Sequence, residues 1–326
     1  MRICIFGAGA VGGHLAARLA HAGETVSVIA RGPHLRAMQE KGLSFIGREA
    51  RFTARVLATD TPAEAGPQDA VIVAVKAPAL GEVAERIAPL LRPETPVIFA
   101  MNGIPFWYFH GQDGPYRGRR VERLDPGGRL WRLIGPERSI GCIVYSGNEV
   151  VEPGTIRNTS DARNRFILGE PDGSTSERAR ALSAALGRAG IEAPITDDIR
   201  TAIWTKLVGN VGFSPVSALT LATLDKIGEA PEVLQVCRQL MAETLAVAQA
   251  LGVSVRLDLD RAVEAALPRP PHKTSMLQDM ERGRPMEIDV LLAAVQDFAR
   301  LTGVPTPGLD TILALLALRA RVAGTY

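Results

Sequence analysis

Three polar side chains recur at four-residue intervals in an otherwise apolar segment of the C-terminal half. Lys206, Asn210 and Ser214 occupy positions i, i+4 and i+8, which on a helix forms one narrow polar stripe. A lysine amine shielded from water is costly to hold charged, so its pKa falls from about 10.4 and the group is suited to donate a proton. The stripe therefore indicates an acid catalyst at Lys206; an ordinary solvent-facing lysine is the alternative.

A second candidate site is a glycine-rich turn near the N-terminus. Gly7-Ala8-Gly9-Ala10-Val11-Gly12 follows a short apolar run, Arg2–Phe6, and precedes a helical pattern over Leu15–Ala22. In this G-x-G-x-x-G spacing the first glycine permits a tight turn, the second lets a pyrophosphate approach, and the third lets helix and strand pack closely. We expect a dinucleotide to bind at the free amides of the helix start. The alternative is a glycine turn without a ligand.

The residue after the next predicted strand, Thr25–Ala30, discriminates between the two nicotinamide dinucleotides. A site for NAD(H) carries Asp or Glu at this point, but this chain has Arg31. A guanidinium can bind a 2′-phosphate with two hydrogen bonds, whereas a carboxylate would repel it. The sequence therefore predicts NADPH/NADP+ as the cofactor, with a surface arginine after a strand as the alternative.

Two further polar positions follow apolar strands. Lys76 comes after Ala70–Val75, and Asn102-Gly103 comes after Val97–Met101. Because ligands bind beyond the carboxyl ends of parallel strands, both positions are candidates for binding. Solvation of a strand end and Asn-Gly turn chemistry are the alternatives.

Strands and helices alternate through the first 197 residues. Strands are predicted at Arg2–Phe6, Thr25–Ala30, Ala70–Val75, Val97–Met101, Ile140–Tyr145, Gly154–Arg157, Arg165–Leu168 and Ile191–Ile195. Helices are predicted at Leu15–Ala22, Ala79–Leu91 and Ser176–Ala189. This alternation predicts an α/β fold, a Rossmann-like doubly wound and mainly parallel sheet. Between His110 and Arg138, seven Arg and six Gly leave no apolar periodicity, which predicts a long loop or small excursion. A solvated basic loop, a lid over an anionic ligand and a subunit contact are the alternatives for its role.

Residues 198–326 are predicted to form an all-helical domain. Helices are expected at Ile199–Val211, Pro215–Leu221, Pro231–Leu251, Leu257–Ala266, Ser275–Glu281, Glu287–Thr302 and Leu309–Arg321. Ser275 with Gln278 fits a capping box, and Glu287 at a helix start fits the helix dipole. The spacing alone therefore does not predict a catalytic role for either residue.

Composition narrows the range of partners. With 37 Lys and Arg against 35 Asp and Glu, the net charge of +2 is too small for non-specific capture of nucleic acid or anionic membranes. The His and the three Cys show no metal-ligand spacing, so we predict no metal site, no disulfide framework and a reducing, cytoplasmic compartment. The longest apolar runs fall well short of the about 18 residues that a membrane-spanning helix needs.

Taken together, the motifs resemble those of the ketopantoate reductase (2-dehydropantoate 2-reductase) family. The resemblance rests on the glycine motif, Arg31, Lys76, Asn102-Gly103, the segment Ile203–Ser214, and Ser275-Met276-Leu277-Gln278-Asp279 followed by Glu287-Ile288-Asp289. These parts span nearly the whole chain in the expected order. The Trp-x-Lys-Leu-x-x-Asn and Ser-Met-Leu-Gln-Asp motifs are far more specific than the glycine turn, which many dehydrogenases share.

The resemblance implies NADPH-dependent reduction of a 2-keto acid, ketopantoate, to the 2-hydroxy acid pantoate in pantothenate and coenzyme A biosynthesis. Lys206 would protonate the developing alkoxide, and Glu287 would position the cofactor ribose or the substrate. The residues implied to hold substrate carboxylate and hydroxyl groups are Asn102, Asn210, Ser214 and Ser275. Asn102 would also lie near the nicotinamide, Arg31 would bind the 2′-phosphate, and Lys76 would contact the cofactor or a closing loop.

Two departures from the family pattern bear on the substrate. Ser214 stands where the family commonly has a second Asn, and the Arg- and Gly-rich stretch His110–Arg138 is not part of the compact pattern. A site that hydrogen-bonds a hydroxyl can discriminate by orders of magnitude, so one changed partner can redirect specificity. A reductase of a different 2-keto acid and a non-catalytic NADP(H) sensor therefore stay open, and the oligomeric state is open too, with a homodimer as one alternative.

Overall fold

A computed structural model describes residues 1–48, 50–160, 164–267 and 271–326. They gather into two compact units. The first contains Met1–Met101 and Pro105–Ile199, and the second contains Asn102–Ile104 and Arg200–Tyr326. The short segment Asn102–Ile104 thus belongs to the unit formed by the C-terminal part of the chain.

The strands of the described residues all lie in the first unit. They are β1 (Arg2–Phe6), β2 (Thr25–Ile29), β3 (Leu43–Ile46), β4 (Arg51–Ala54), β5 (Leu57–Thr59), β6 (Ala70–Val73), β7 (Val97–Ala100), β8 (Ser139–Tyr145), β9 (Asn148–Glu152), β10 (Thr155–Asn158) and β11 (Arg165–Gly169).

The α-helices are distributed over both units. They are α1 (Ala10–His21), α2 (Gly32–Lys41), α3 (Pro62–Ala65), α4 (Leu80–Arg86), α5 (Arg129–Leu133), α6 (Glu177–Arg188), α7 (Ile199–Thr220), α8 (Leu224–Gly228), α9 (Pro231–Ala250), α10 (Leu259–Ala266), α11 (Ser275–Glu281), α12 (Ala294–Thr302) and α13 (Pro307–Val322). A π-helical turn, Asp289–Ala293, precedes α12.

A seven-stranded sheet forms the centre of the first unit, in the order β11-β8-β7-β6-β1-β2-β5. Neighbouring strands are parallel except for β11, which runs antiparallel to β8. All four residues of β6 and of β7 are buried, as their wholly apolar sequences require when helices cover both faces of a parallel sheet. The predicted α/β fold with a mainly parallel sheet and a helical C-terminal region is confirmed.

A second sheet, in the order β4-β3-β10-β9, was not predicted. It packs on α1, and the contact requires a glycine. A Cβ added at Gly13 would lie 2.6 Å from Cδ1 of Ile156, a distance at which one of the two must move. Gly13 therefore lets helix α1 lie against β10.

His14 lies next to this contact and is fully buried between aromatic rings. Its ring is parallel to that of Phe166, with centroids 6.2 Å apart, and lies 5.6 Å from that of Phe45. Neither ring nitrogen has a hydrogen-bond partner among the described residues. Burial, with a smaller contribution from the charge of Arg18, lowers the pKa of His14 from 6.5 to about 3, so the imidazole is neutral at physiological pH.

The predicted long loop His110–Arg138 proves partly wrong, because it contains a short helix and buried residues. The carboxylate of Asp125 accepts hydrogen bonds from the backbone N–H groups of Leu130 (2.8 Å) and Trp131 (3.0 Å) at the start of α5. Leu130 and Ile134 are buried. The Asp125 side chain thus binds the start of a short helix in a segment whose sequence shows no helical periodicity.

Prolines explain two further corrections in the first unit. The predicted strand Ile191–Ile195 forms only isolated bridges, because Pro194 has no N–H to continue a ladder. The predicted helix Ala79–Leu91 is broken into α4 and flanking 3₁₀ turns at Ala77–Ala79 and Ala88–Leu90, each with a proline. Helix α1 begins at Ala10 rather than Leu15, so Gly12 lies inside it.

In the second unit the two helices predicted at Ile199–Val211 and Pro215–Leu221 form one continuous helix, α7, with Pro215 inside it. Gly212 lies in its middle because α7 and α9 approach closely there: a Cβ at Gly212 would lie 2.5 Å from Cγ of Met241. Helix α13 begins where the Glu243 carboxylate of α9 accepts the N–H groups of Gly308 (2.9 Å) and Leu309 (2.8 Å).

Within the described ranges, no helix combines the length and the apolar composition needed to cross a bilayer. The same residues contain no group of three or more His, Cys, Asp or Glu side chains that could hold a metal ion. The three cysteines are buried and none of them forms a disulfide, and burial raises the pKa of Cys4 and of Cys237 to about 12.

The buried imidazole predicts a pH-dependent loss of stability. Because the pKa of His14 is lower in the folded than in the unfolded chain, its contribution is complete above pH 6.5 and is lost as the pH falls towards about 3. Over that window the free energy of unfolding should fall by about 1.4 kcal/mol per pH unit from this group alone. Urea unfolding at several pH values should show this slope in the wild type and a shallower one in His14→Leu. An equal slope in both proteins would show that His14 does not titrate this way; exposed His272→Leu is the control.

Candidate active site

The glycine turn after β1 has the geometry of a diphosphate cradle. Gly7 has φ +101°, and a Cβ there would lie 2.5 Å from Cγ1 of Val75. A Cβ at Gly12 would lie 1.9 Å from the carbonyl oxygen of Gly7, whereas one at Gly9 would meet no described atom within 4 Å. The first and third glycines thus permit packing and the second borders open space. Gly9 precedes α1 with no side-chain cap, so backbone N–H groups are left for an anion.

Arg31 immediately precedes α2, close behind the end of β2. Its side chain is 77% exposed and its Nη1 lies 3.2 Å from Oε2 of Glu82 on α4. Lys76 lies three residues beyond β6 and is half-buried before the 3₁₀ turn Ala77–Ala79. The strand ends two residues earlier than predicted, so Lys76 belongs to the turn that follows it.

The predicted polar stripe lies on α7, and its first residue, Lys206, contacts the side-chain amide of Asn102. Nζ of half-buried Lys206 donates a hydrogen bond of 2.7 Å to Oδ1 of Asn102. The two residues are 104 positions apart and belong to the same compact unit. This bond consumes one of the three ammonium donors and fixes the direction in which the others point.

A close approach of backbones places Asn102. Gly103 has φ +86°, and a Cβ there would lie 2.5 Å from the carbonyl oxygen of Val290. The N–H of Ile104 donates to that same oxygen at 2.9 Å. The Val290 carbonyl belongs to the π-helical turn. In this turn the N–H of Ala294 donates to the carbonyl of Asp289, five residues back, instead of to that of Val290, four residues back. The turn therefore holds the segment that carries Asn102, and sequence patterns give no signal for it.

The remaining candidate residues lie at different depths in the second unit. Glu287 is buried two residues before the π-helical turn, Ser214 is buried, and Asn210 is half-buried. Ser275 is exposed in the first turn of α11. The predicted capping box at Ser275 is wrong, since Oγ1 of Thr274 accepts the N–H of Leu277 at 3.2 Å and is the cap. The Ser275 hydroxyl is therefore not used to cap the helix.

Two family models match the chain. The model described as "Ketopantoate reductase PanE/ApbA" matches residues 3–107, and the one described as "Ketopantoate reductase PanE/ApbA C terminal" matches residues 198–320. The chain belongs to the ketopantoate reductase family. A 2-dehydropantoate 2-reductase of Mesorhizobium japonicum is 48% identical over 327 residues, which cover 100% of both chains. The resemblance seen in the motifs is thereby confirmed.

Solved structures agree with this family assignment. A protein from Ralstonia solanacearum MolK2 that was assigned to the ketopantoate reductases is 45% identical with a TM-score of 0.93, covering 100% of this chain and 99% of that one. A 2-dehydropantoate 2-reductase from Geobacter metallireducens GS-15 is 28% identical with a TM-score of 0.85, covering 98% and 100%. The fold of this chain is therefore that of the ketopantoate reductases.

The close approach at Gly103 predicts that Gly103→Ala destabilises the second unit. The positive φ costs about 1–2 kcal/mol for an alanine, and the contact with the Val290 carbonyl adds to it. Chemical unfolding should show at least this loss. Gly187→Ala is the matched control, because Gly187 lies exposed in α6 with no described atom within 4 Å of an added Cβ; it should gain up to about 1 kcal/mol. Equal effects of the two substitutions would contradict the account.

Proposed function

We propose that this chain reduces 2-dehydropantoate (ketopantoate) to pantoate with NADPH, a step of pantothenate and coenzyme A biosynthesis. Family membership and the full-length relative named 2-dehydropantoate 2-reductase support the reaction. The observation that carries the proposal is the hydrogen bond from Lys206 to Asn102. It holds an amine, a proton donor, against the amide that the family motif assigns to the substrate.

The residues of the glycine turn fit the proposed cofactor. Open space at Gly9 and uncapped N–H groups at the start of α1 suit a diphosphate. Arg31 would hold the 2′-phosphate, and Lys76 would contact the cofactor beyond β6. When bound, NADPH supplies the hydride for the keto carbon. The chain itself must orient the cofactor and supply the proton.

Lys206 is the proposed acid. Reduction of the keto carbon would move the electron pair of the C=O bond to oxygen, and that oxygen would take a proton from Nζ of Lys206. The new C2–H bond would use the hydride that NADPH gives up on oxidation to NADP+, and the new O–H bond would replace an N–H bond of Lys206. The amine would stay neutral until solvent returned its proton. Asn102 accepts one N–H of the ammonium at 2.7 Å, so it restrains the amine without removing its charge. Restraint of this kind is what turns a flexible lysine into a positioned acid.

Substrate binding is assigned to polar groups of the second unit. Asn210 and Ser214 follow Lys206 at one and two helical turns along α7, so their side chains share its face. With Asn102 and the exposed hydroxyl of Ser275, they would hold the carboxylate and hydroxyl of the keto acid. Glu287 would position the ribose or the substrate hydroxyl.

Ser214 also supports a second candidate, reduction of a different 2-keto acid. The Ser214 side chain is 5% exposed and stands where the family commonly has Asn. A hydroxyl is shorter than an amide and offers one donor instead of two, so a substrate group bonded by Asn in relatives would lose a partner here. Pocket volume would then select the side chain of the keto acid.

A homodimer in the cytoplasm is the proposed setting. Three cysteines that form no disulfide fit a reducing compartment. Helix α13 presents Leu315, Leu318 and Val322, each more than half exposed, at the helical spacing i, i+3 and i+7. A row of this kind is typical of an interface. The ketopantoate reductase of Staphylococcus aureus, 22% identical, is described as dimeric.

NADPH oxidation with a panel of 2-keto acids tests the reaction. We expect ketopantoate to give the highest kcat/KM, and Lys206→Ala to lower kcat by about 10²–10⁴ with NADPH affinity nearly unchanged. Lys226→Ala, at an exposed lysine of α8 paired with Glu229, is the control and should keep wild-type kcat.

Three results would contradict parts of this proposal. An unchanged kcat in Lys206→Ala would remove Lys206 from the mechanism. A higher kcat/KM for another keto acid would favour the second candidate. NADPH binding without consumption by any 2-keto acid would indicate a non-catalytic sensor.

A further inference from the structure

Arg31 is already engaged by a carboxylate. Glu82 lies in the first turn of α4, and its two oxygens contact two guanidinium groups. Oε2 lies 3.2 Å from Nη1 of Arg31, and Oε1 lies 2.8 Å from Nη1 of Arg86. Arg86 in turn donates to the backbone carbonyl of Asp60. Glu82 is therefore the centre of a small network, defined here as Arg31, Glu82, Arg86 and Asp60.

The network lies at the sheet edge where the adenosine half of a dinucleotide binds. Arg31 comes two residues after β2 and Asp60 directly after β5, and these neighbouring strands are parallel. The N–H of Ala30 donates to the carbonyl of Thr59 at 2.9 Å, which keeps the two strand ends together. Next to β2 is β1, which leads into the glycine turn. Ligands of such sheets bind beyond these carboxyl ends.

All three charged side chains can be reached from solvent. Arg31, Glu82 and Arg86 are 77%, 41% and 37% exposed. An ion pair at this exposure contributes about 0–1 kcal/mol to stability. The carboxylate is thus not needed to hold the fold together, but its charge stands beside the guanidinium on which a 2′-phosphate would bind.

We propose that Glu82 is a specificity-determining residue that limits the preference for NADPH over NADH. The inference rests on the proposed cofactor function of Arg31. A 2′-phosphate carries about −1.5 to −2 charges and would share Arg31 with a carboxylate of the same sign. A ribose 2′-hydroxyl meets no such repulsion and can donate a hydrogen bond to the carboxylate, as it does in sites selective for NAD. Glu82 therefore weakens the binding of NADPH through its 2′-phosphate and does not weaken the binding of NADH.

The test is Glu82→Gln, which keeps the shape of the side chain and removes its charge. Dissociation constants of the free protein for NADPH and NADH, measured by calorimetry in 0.1 M and in 1 M salt, give the readout without turnover. We expect NADPH to bind about 3- to 10-fold more tightly at 0.1 M salt because one like charge is gone. NADH should bind equally or up to a few-fold more weakly. At 1 M salt, where the screening length is about 3 Å, the gain for NADPH should shrink below about twofold.

Glu85→Gln is the matched control. Glu85 lies on the same helix, is 56% exposed and pairs with Arg129 at 3.0 Å, so its substitution removes the same charge without touching Arg31. We expect NADPH affinity to change less than about twofold, because the Glu85 carboxylate is paired with Arg129 and not with Arg31. The thermal unfolding temperatures of both variants should be close to that of the wild type, because one exposed ion pair contributes only about 0–1 kcal/mol to stability.

Titration with adenosine 2′,5′-bisphosphate and with AMP measures the effect of the 2′-phosphate in ligands that lack the nicotinamide. The bisphosphate should gain affinity in Glu82→Gln and AMP should not. Equal behaviour of Glu82→Gln and Glu85→Gln would overturn the inference, and so would weaker NADPH binding in Glu82→Gln, which would mean that the carboxylate orients Arg31. A wild-type protein that binds NADH but not NADPH would instead overturn the proposed role of Arg31, on which the inference rests.

Discussion

The acid role proposed for Lys206 requires that its flexible side chain be restrained, and a hydrogen bond across the chain provides such a restraint. Nζ of Lys206 lies 2.7 Å from the amide oxygen of Asn102. The amide oxygen accepts this hydrogen bond without carrying a charge of its own. The chemistry proposed for this chain depends on that restraint.

The partner is placed by backbone contacts that only glycine permits. Gly103 lets the segment after β7 reach the carbonyl of Val290, and the π-helical turn leaves that carbonyl to bond Ile104. The glycine turn after β1 is built in the same way, because Gly12 brings α1 onto that turn. Glycines thus position the segments that carry the candidate site residues.

Sequence patterns predicted the large sheet well, because β1, β6 and β7 are buried on both faces and are therefore continuously apolar. Of the second sheet they predicted only the strand Gly154–Arg157, which corresponds to β10, and missed β3, β4 and β9, which include the half-exposed Arg51–Ala54. The stripe on α7 was predictable from its four-residue spacing. Its contact with Asn102 was not predicted, since no local pattern reports a bond across 104 positions. The ion pair of Arg31 with Glu82 and the π-helical turn are equally non-local.

A double-mutant cycle on kcat/KM for ketopantoate and NADPH tests the coupling of Lys206 and Asn102 most directly. If the amide acts by holding the amine, Asn102→Ala should cost less in the Lys206→Ala background than in the wild type, with a coupling of about 0.5–3 kcal/mol. Losses that multiply independently, so that Asn102→Ala costs the same factor in both backgrounds, would contradict the account.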